Sequence, residues 1–193
     1  MHGHLQLACH GDDVRKKLRL SDCDGYLTAM IEDVRARYGD PPLYAYATSF
    51  GAFLFLKYIS EHGDPFRRMA LRCPVVDLYE VLTERIISPE ELTRLEKGKE
   101  VPVGFERKVA LDKTYLDEVR SVDLMSRDFT PYMDDILLLH GLRDEIVPLS
   151  TVQRFADDQL IELALIENGD HRFQDPRAMD EAIKDMLDFF QAR

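Results

Sequence analysis

The sequence is short of basic residues, of cysteine and of long apolar runs, and each shortage removes a class of protein. Lysine and arginine number 25 against 36 aspartate and glutamate, which leaves a formal net charge of −11. A surface of that sign repels phosphate backbones, so no nucleic-acid partner is expected. Apolar runs such as 136–139 are strand-sized, well below the roughly 18–20 residues a membrane helix requires. The first residues, Met1-His2-Gly3-His4-Leu5, hold no basic segment followed by an apolar one, and so do not read as a signal peptide. Cysteine occurs three times, at Cys9, Cys23 and Cys73, an odd number at spacings that suit no metal site. That usage suggests a reducing compartment and buried or incidental thiols. The expectation is a cytoplasmic protein with no membrane span. Repeats, low-complexity tracts and interdomain linkers are also missing.

What is present suits one globular domain. Hydrophobic residues make up 45% and charged residues 32% of a 193-residue chain, enough to bury a sizeable core. Short apolar runs alternate with amphipathic stretches, the pattern of a parallel sheet covered by helices. Strands are expected at 5–9, 43–47, 69–73, 135–140 and 160–166. Together they predict an α/β fold, a three-layer α/β/α arrangement with a mostly parallel sheet of about five strands. A helix over 26–38 places Leu27, Met30, Ile31, Val34 and Tyr38 on one face, and 50–60 is apolar almost all round, hence deeply buried. A short helix is expected at 150–157. The last helix starts with Asp175 as cap and Pro176 in the first turn, and turns Met179, Ile183, Met186, Leu187 and Phe190 toward the core. The stretch 77–130 differs: it is rich in charge, helical around 78–86 and 89–97, and without a convincing strand. A connection of this length reads as a helical lid insertion within a single domain, 1–193, covering the site.

Three segments lie where a parallel sheet places its site, at the carboxyl ends of strands. Tyr46-Ala47-Thr48-Ser49-Phe50-Gly51 joins a strand to the buried helix. A serine there occupies a sharp turn that lifts its hydroxyl out of the sheet, and small neighbours let strand and helix approach. The Phe50 N–H, at the helix N-terminus, offers partial positive charge to an oxyanion. Asp144 lies in the loop His140-Gly141-Leu142-Arg143-Asp144-Glu145-Ile146-Val147-Pro148, directly after the strongest strand. His171 lies in Glu167-Asn168-Gly169-Asp170-His171-Arg172-Phe173, after the last strand.

The order Ser, Asp, His, each following its own strand, resembles the α/β-hydrolase superfamily, in particular its esterase, lipase and serine-aminopeptidase-like branch. Ala47-Thr48-Ser49-Phe50-Gly51 is similar to the Gly-x-Ser-x-Gly elbow, with Ala replacing the first Gly. His140, Gly141, Asp144, Val147 and Pro148 match the His-Gly-x-x-Asp-x-x-Val-Pro pattern, and Gly169-Asp170-His171 the Gly-x-His of the last loop. The resemblance implies a catalytic triad: Ser49 as nucleophile, His171 as general base and then acid, and Asp144 orienting the imidazole. The implied substrate is a small-molecule ester of a small or medium carboxylic acid, cleaved through an acyl-serine intermediate, with no metal or organic cofactor.

The match departs from the family at the N-terminus, where a full-length member has three further strands. His10-Gly11-Asp12-Asp13 resembles the loop after the family's fourth strand, and the 38 positions from Gly11 to Ser49 suit that place. A truncated α/β-hydrolase fold would lack a central strand and the second oxyanion donor. Such a sheet would expose an open edge for a homodimer partner, or the chain would be part of a longer protein. The rival reading is accordingly a non-catalytic remnant that acts through binding or self-association. Plainer readings stand beside the other residues. Glu145 and Asp170 are rivals to Asp144; His10 and His140 read as structural hydrogen-bonders. The run 90–97 reads as a solvated helix face with i,i+4 pairs. Tyr79, Phe105, Tyr115 and Phe129 read either as an acyl-pocket wall or as ordinary packing.

Overall fold

The computed structural model describes residues 17–104 and 108–192. The strand candidate at 5–9, His10 and its loop, Cys9 and Phe105 lie outside the described residues. Contacts divide the chain into two compact units, one of 42–81 with 123–193 and one of 1–41 with 82–122.

The first unit is the sheet unit. Strand β1 (Tyr44–Thr48) runs into helix α2 (Phe50–His62), and β2 (Arg68–Arg72) is followed by the short helix α3 (Leu78–Val81). A 3-10 turn (Thr130–Asp135) then leads into β5 (Ile136–Gly141), α6 (Leu149–Gln159), β6 (Glu162–Ile166) and α7 (Pro176–Gln191). The sheet has four strands in the order β1-β2-β5-β6, and every neighbouring pair is parallel. Four of the about five expected strands are thus found among the described residues, and the remaining candidate, at 5–9, lies outside them.

Alternation along the strands builds three layers. Ala70, Leu137 and Leu139 point to the face on which Met186, Phe189 and Phe190 of α7 pack. Ala45 and Ala47 point to the other face, where α2 buries Ala52, Phe53, Leu54, Leu56, Tyr58 and Ile59. α2 is buried on more than one face, as its composition predicts. β5 is buried at every residue, which is why it reads as a continuous apolar run.

The buried face expected for α7 is corrected in part. Ala178 and Ala182 are its buried residues, while Ile183 and Leu187 remain 42% and 45% exposed. Small side chains let the helix lie close to the sheet, and its contacts fall on β2, β5 and β6. Toward β1, Phe190 packs edge-on against Tyr44, and farther along Tyr46, Thr48, Arg72, Met179, Ala182, Ile183 and Met186 line a cavity of about 340 Å³.

The second unit contains helix α1 (Leu20–Tyr38), a π-helical turn (Leu82–Ile86), α4 (Pro89–Glu96), a hairpin of β3 (Val101–Val103) and β4 (Val109–Leu111), and α5 (Lys113–Arg120). Sequence periodicity starts α1 six residues late and misses the hairpin and α5. The hairpin strands are three residues each, too short for alternation to show. Ser88 and Glu91 form a reciprocal capping box at the start of α4. The ion pairs expected within 90–97 are replaced by pairs from Glu96 to Lys113 and Arg120 of α5. Asp112 caps α5 through the Tyr115 N–H and pairs with Arg19 at 2.7 Å. Burial raises its carboxyl, but the hydrogen bonds from Arg19, Tyr115 and Lys17 outweigh it and bring the pKa to about 2. Tyr115 is buried within this unit, and Phe129 of the sheet unit stacks edge-on against Phe155, so both are packing residues. No helix among the described residues is long and apolar enough to cross a membrane.

Candidate active site

All three triad candidates belong to the sheet unit. Ser49 sits between β1 and α2 with φ 52° and ψ −120°, a left-handed backbone that costs on the order of 1–3 kcal/mol in a residue with a side chain. Hydrogen bonds hold the turn on both sides: the Ser49 N–H donates to the Arg72 carbonyl at 3.0 Å, and the Phe53 N–H donates to the Ser49 carbonyl at 3.2 Å. Phe50 begins α2, so no preceding turn receives its N–H. A Cβ placed on Gly51 would meet Ala47 Cβ at 3.7 Å, an ordinary contact. The turn thus has room for a methyl group between the two small residues that flank the serine, and the alanine fits without displacing the helix.

Two further loops converge on this turn, held together by glycines. A Cβ on Gly141 would fall 2.1 Å from the Gly169 carbonyl oxygen, and one on Gly169 would fall 2.8 Å from the Phe173 ring. The Arg143 N–H donates to Gly169 O at 2.9 Å and the Leu142 N–H to Ile166 O at 2.9 Å. The loop that carries Asp144 and the loop that carries His171 are thus in backbone contact.

The result is a continuous chain of hydrogen bonds. His171 Nε2 lies 3.0 Å from Ser49 Oγ, and Nδ1 lies 2.9 Å from Asp144 Oδ2. The Asp144 side chain is fully buried and that of His171 is 13% exposed. Asp144 Oδ1 accepts the N–H groups of Ile146 and Val147, each at 2.8 Å. Burial alone would raise this carboxyl. Hydrogen bonds, first of all from His171, outweigh burial and bring its pKa to about 2, so the group is a carboxylate near neutrality.

The structure brings together Ser49, Asp144 and His171 and leaves their rivals outside. Asp170 instead accepts the Gln174 N–H at 2.9 Å, and it is Asp144, with no carboxylate of Glu145 in the chain, that reaches the imidazole. His140 corrects its expected role as a hydrogen-bonder. It is fully buried, neither ring nitrogen reaches a partner in good geometry, and Asp144 Oδ2 stands 4.0 Å from its Nε2. Burial pushes its pKa below the ordinary value, so it is a neutral ring packed behind the carboxylate. Cys73 was not legible as a site residue. Its thiol, the Asp144 carboxylate and the His171 imidazole offer ligand-type atoms within 4.8 Å of one another. Burial and the Asp144 charge push the thiol pKa upward, which disfavours the thiolate that a cation would need.

Comparison with known proteins follows the same lines. Residues 42–193 match the prolyl oligopeptidase family. No curated protein matches the chain in sequence. Among solved structures, a soluble variant of monoglyceride lipase from Saccharomyces cerevisiae superposes with a TM-score of 0.70 at 12% identity, over 96% of this chain and 75% of that one. Est1E from Butyrivibrio proteoclasticus with ferulic acid bound gives 0.69 at 15% identity, over 97% and 76%. Alpha/beta hydrolase domain-containing protein 10 from mouse gives 0.61 at 18% identity, over 94% and 73%. These likenesses establish the fold, and the family match spans the whole sheet unit. Its fold is that of the α/β-hydrolases it superposes on, and the chain belongs to the prolyl oligopeptidase family.

Proposed function

We propose that the protein is a serine hydrolase that cleaves small or medium carboxylic esters through an acyl-Ser49 intermediate. The observation that carries this reading is the unbroken relay Ser49–His171–Asp144, with 3.0 and 2.9 Å links. Ser49 Oγ attacks the ester carbonyl while its proton passes to His171 Nε2. The resulting imidazolium is stabilised by Asp144, whose carboxylate holds the Nδ1 proton. Negative charge on the former carbonyl oxygen faces the Phe50 N–H and the start of α2. The intermediate expels the alcohol, which takes the proton from His171. Water then repeats the sequence on the acyl-enzyme and releases the acid, so no metal or organic cofactor enters.

A second reading, cleavage of peptide bonds, is favoured by the family match. Both use the same relay and differ in the leaving group. Turnover of 4-nitrophenyl acetate and butyrate, compared with peptidyl 4-nitroanilides, separates them. Ester turnover that falls at least a thousandfold in Ser49→Ala and His171→Ala is expected. Anilide turnover alone moves the assignment to a peptidase. Neither activity, in folded protein, supports a remnant. The proposal also includes a homodimer, in which the uncharged strand β1, Tyr44-Ala45-Tyr46-Ala47-Thr48, at the edge of the sheet among the described residues, pairs with the same strand of a second copy.

A further inference from the structure

Asp144 is a fully buried anion, and its stability depends on how many donors reach it. The donors accounted for so far are the Ile146 and Val147 N–H groups on Oδ1 and the His171 ring on Oδ2. A carboxylate has about four acceptor sites. One remains; the His140 ring stands 4.0 Å from Oδ2 without hydrogen-bond geometry, and the Cys73 thiol lies within 4.8 Å of the carboxylate.

Cys73 follows β2 with φ 44°, and it is 1% exposed. A non-glycine residue in the left-handed region is strained, and the residue before a proline, here Pro74, ordinarily prefers extended backbone. Strain of this kind persists only where surrounding structure demands it. One restraint is the Cys73 N–H, which donates to the Leu139 carbonyl at 2.7 Å and so ties the turn to β5. The turn is also tied to the Ser49 backbone, through the Ser49 N–H to the Arg72 carbonyl at 3.0 Å and the Val75 N–H to the Ser49 carbonyl at 3.4 Å, and it holds the thiol within 4.8 Å of both the Asp144 carboxylate and the His171 imidazole. Ile166, Phe173, Ala178 and Ala182 pack around the residue, which keeps water from competing for the carboxylate.

We propose that the Cys73 S–H donates to the Asp144 carboxylate and is a positioning residue for the Ser49–His171–Asp144 relay, a reading that rests on the hydrolase function proposed above. The thiol is not a second nucleophile. Burial and the adjacent negative charge keep it protonated, and a protonated thiol is a donor. In turn, a donor at that position favours the charged form of Asp144, the direction in which this carboxyl is shifted. The strained turn after β2 then has a purpose: it supplies the one donor to Asp144 that comes from neither the Asp144 loop nor the His171 loop.

The test uses the full chain and two variants. Cys73→Ala keeps the strained backbone and removes the donor; Cys73→Ser keeps a donor. In Cys73→Ala, kcat for 4-nitrophenyl butyrate is expected to fall about tenfold with KM unchanged, the order expected for one hydrogen bond to a charged group. The downfield proton resonance of the His171–Asp144 hydrogen bond is expected to shift in the same variant. Cys73→Ser is expected to restore both. Loss of packing alone would move neither the resonance nor its recovery in serine. Wild-type kcat and an unmoved resonance in Cys73→Ala overturn the proposal, as does a serine variant no better than alanine. If the wild-type protein turns over no ester, the hydrolase reading fails by itself, and the resonance still decides the role of Cys73. Should Cys73→Ala not fold, the infrared S–H stretch of the wild-type protein gives the answer. A Cys73 band displaced from the free-thiol position, returning toward it in Asp144→Asn, supports the hydrogen bond. A free-thiol band insensitive to that substitution overturns it.

Discussion

Asp144 carries more of the site than its place between two motif residues suggests. Its pKa is held to about 2, below the ordinary 3.9 of the unfolded chain. A depressed carboxyl contributes stability above the unfolded value and loses it as pH falls through the folded one. The contribution is therefore full above about pH 4 and disappears toward pH 2. It amounts to roughly 2–3 kcal/mol by the usual conversion. Asp144→Asn is predicted to cost that much in urea denaturation at pH 7, and the penalty to shrink as pH is lowered from 4 toward 2. A penalty independent of pH would contradict the assignment of Asp144 as a stabilised carboxylate. At this scale the sequence revealed the three triad candidates, because each follows its own strand in a recognisable pattern. It did not reveal Cys73, since Cys-Pro after a strand argues for extended backbone and the observed φ is 44°. His140 departs from expectation in a simpler way: its ring is buried with Nε2 4.0 Å from Asp144 Oδ2, beyond hydrogen-bond distance of that carboxylate.

Elements set how far the triad residues can drift apart, and here the glycines divide into two kinds. Gly51 has an ordinary 3.7 Å contact available to a Cβ, whereas Gly141 has backbone oxygen at 2.1 Å. Gly51→Ala, inside the first turn of α2, is predicted to leave thermal stability within about 1 kcal/mol of wild type. Gly141→Ala must push the Asp144 and His171 loops apart, and is predicted to cost about 3 kcal/mol together with most of the ester turnover. Calorimetry and turnover on the same two variants check this, and equal tolerance of both substitutions would contradict it. The helices and strands of the sheet unit were readable to within a few residues, since β5 is continuously apolar and α2 is apolar nearly all round. The hairpin β3–β4 was not, because three-residue strands hold too little alternation to distinguish them from loop.

For the whole molecule, the sheet is the feature that departs from expectation. Its described part has four strands, with β1 at one edge and Tyr46 46% exposed at the cavity beside α7. Parallel strands are ordinarily covered, and an uncharged edge invites pairing. Sedimentation is predicted to give a dimer that Tyr46→Lys weakens, and a monomer at high concentration would contradict edge pairing. The amphipathic pattern of α7 was legible, but which of its apolar residues are covered depends on the width of the sheet beneath it, a property no local pattern contains. The central claim is that three side chains from separate loops act as one relay, and a fluorophosphonate probe reads it directly. Peptide mass analysis is predicted to place the adduct on Ser49, with labelling absent in Ser49→Ala and sharply reduced in His171→Ala. An unlabelled Ser49 in folded protein, or labelling indifferent to His171, would contradict it.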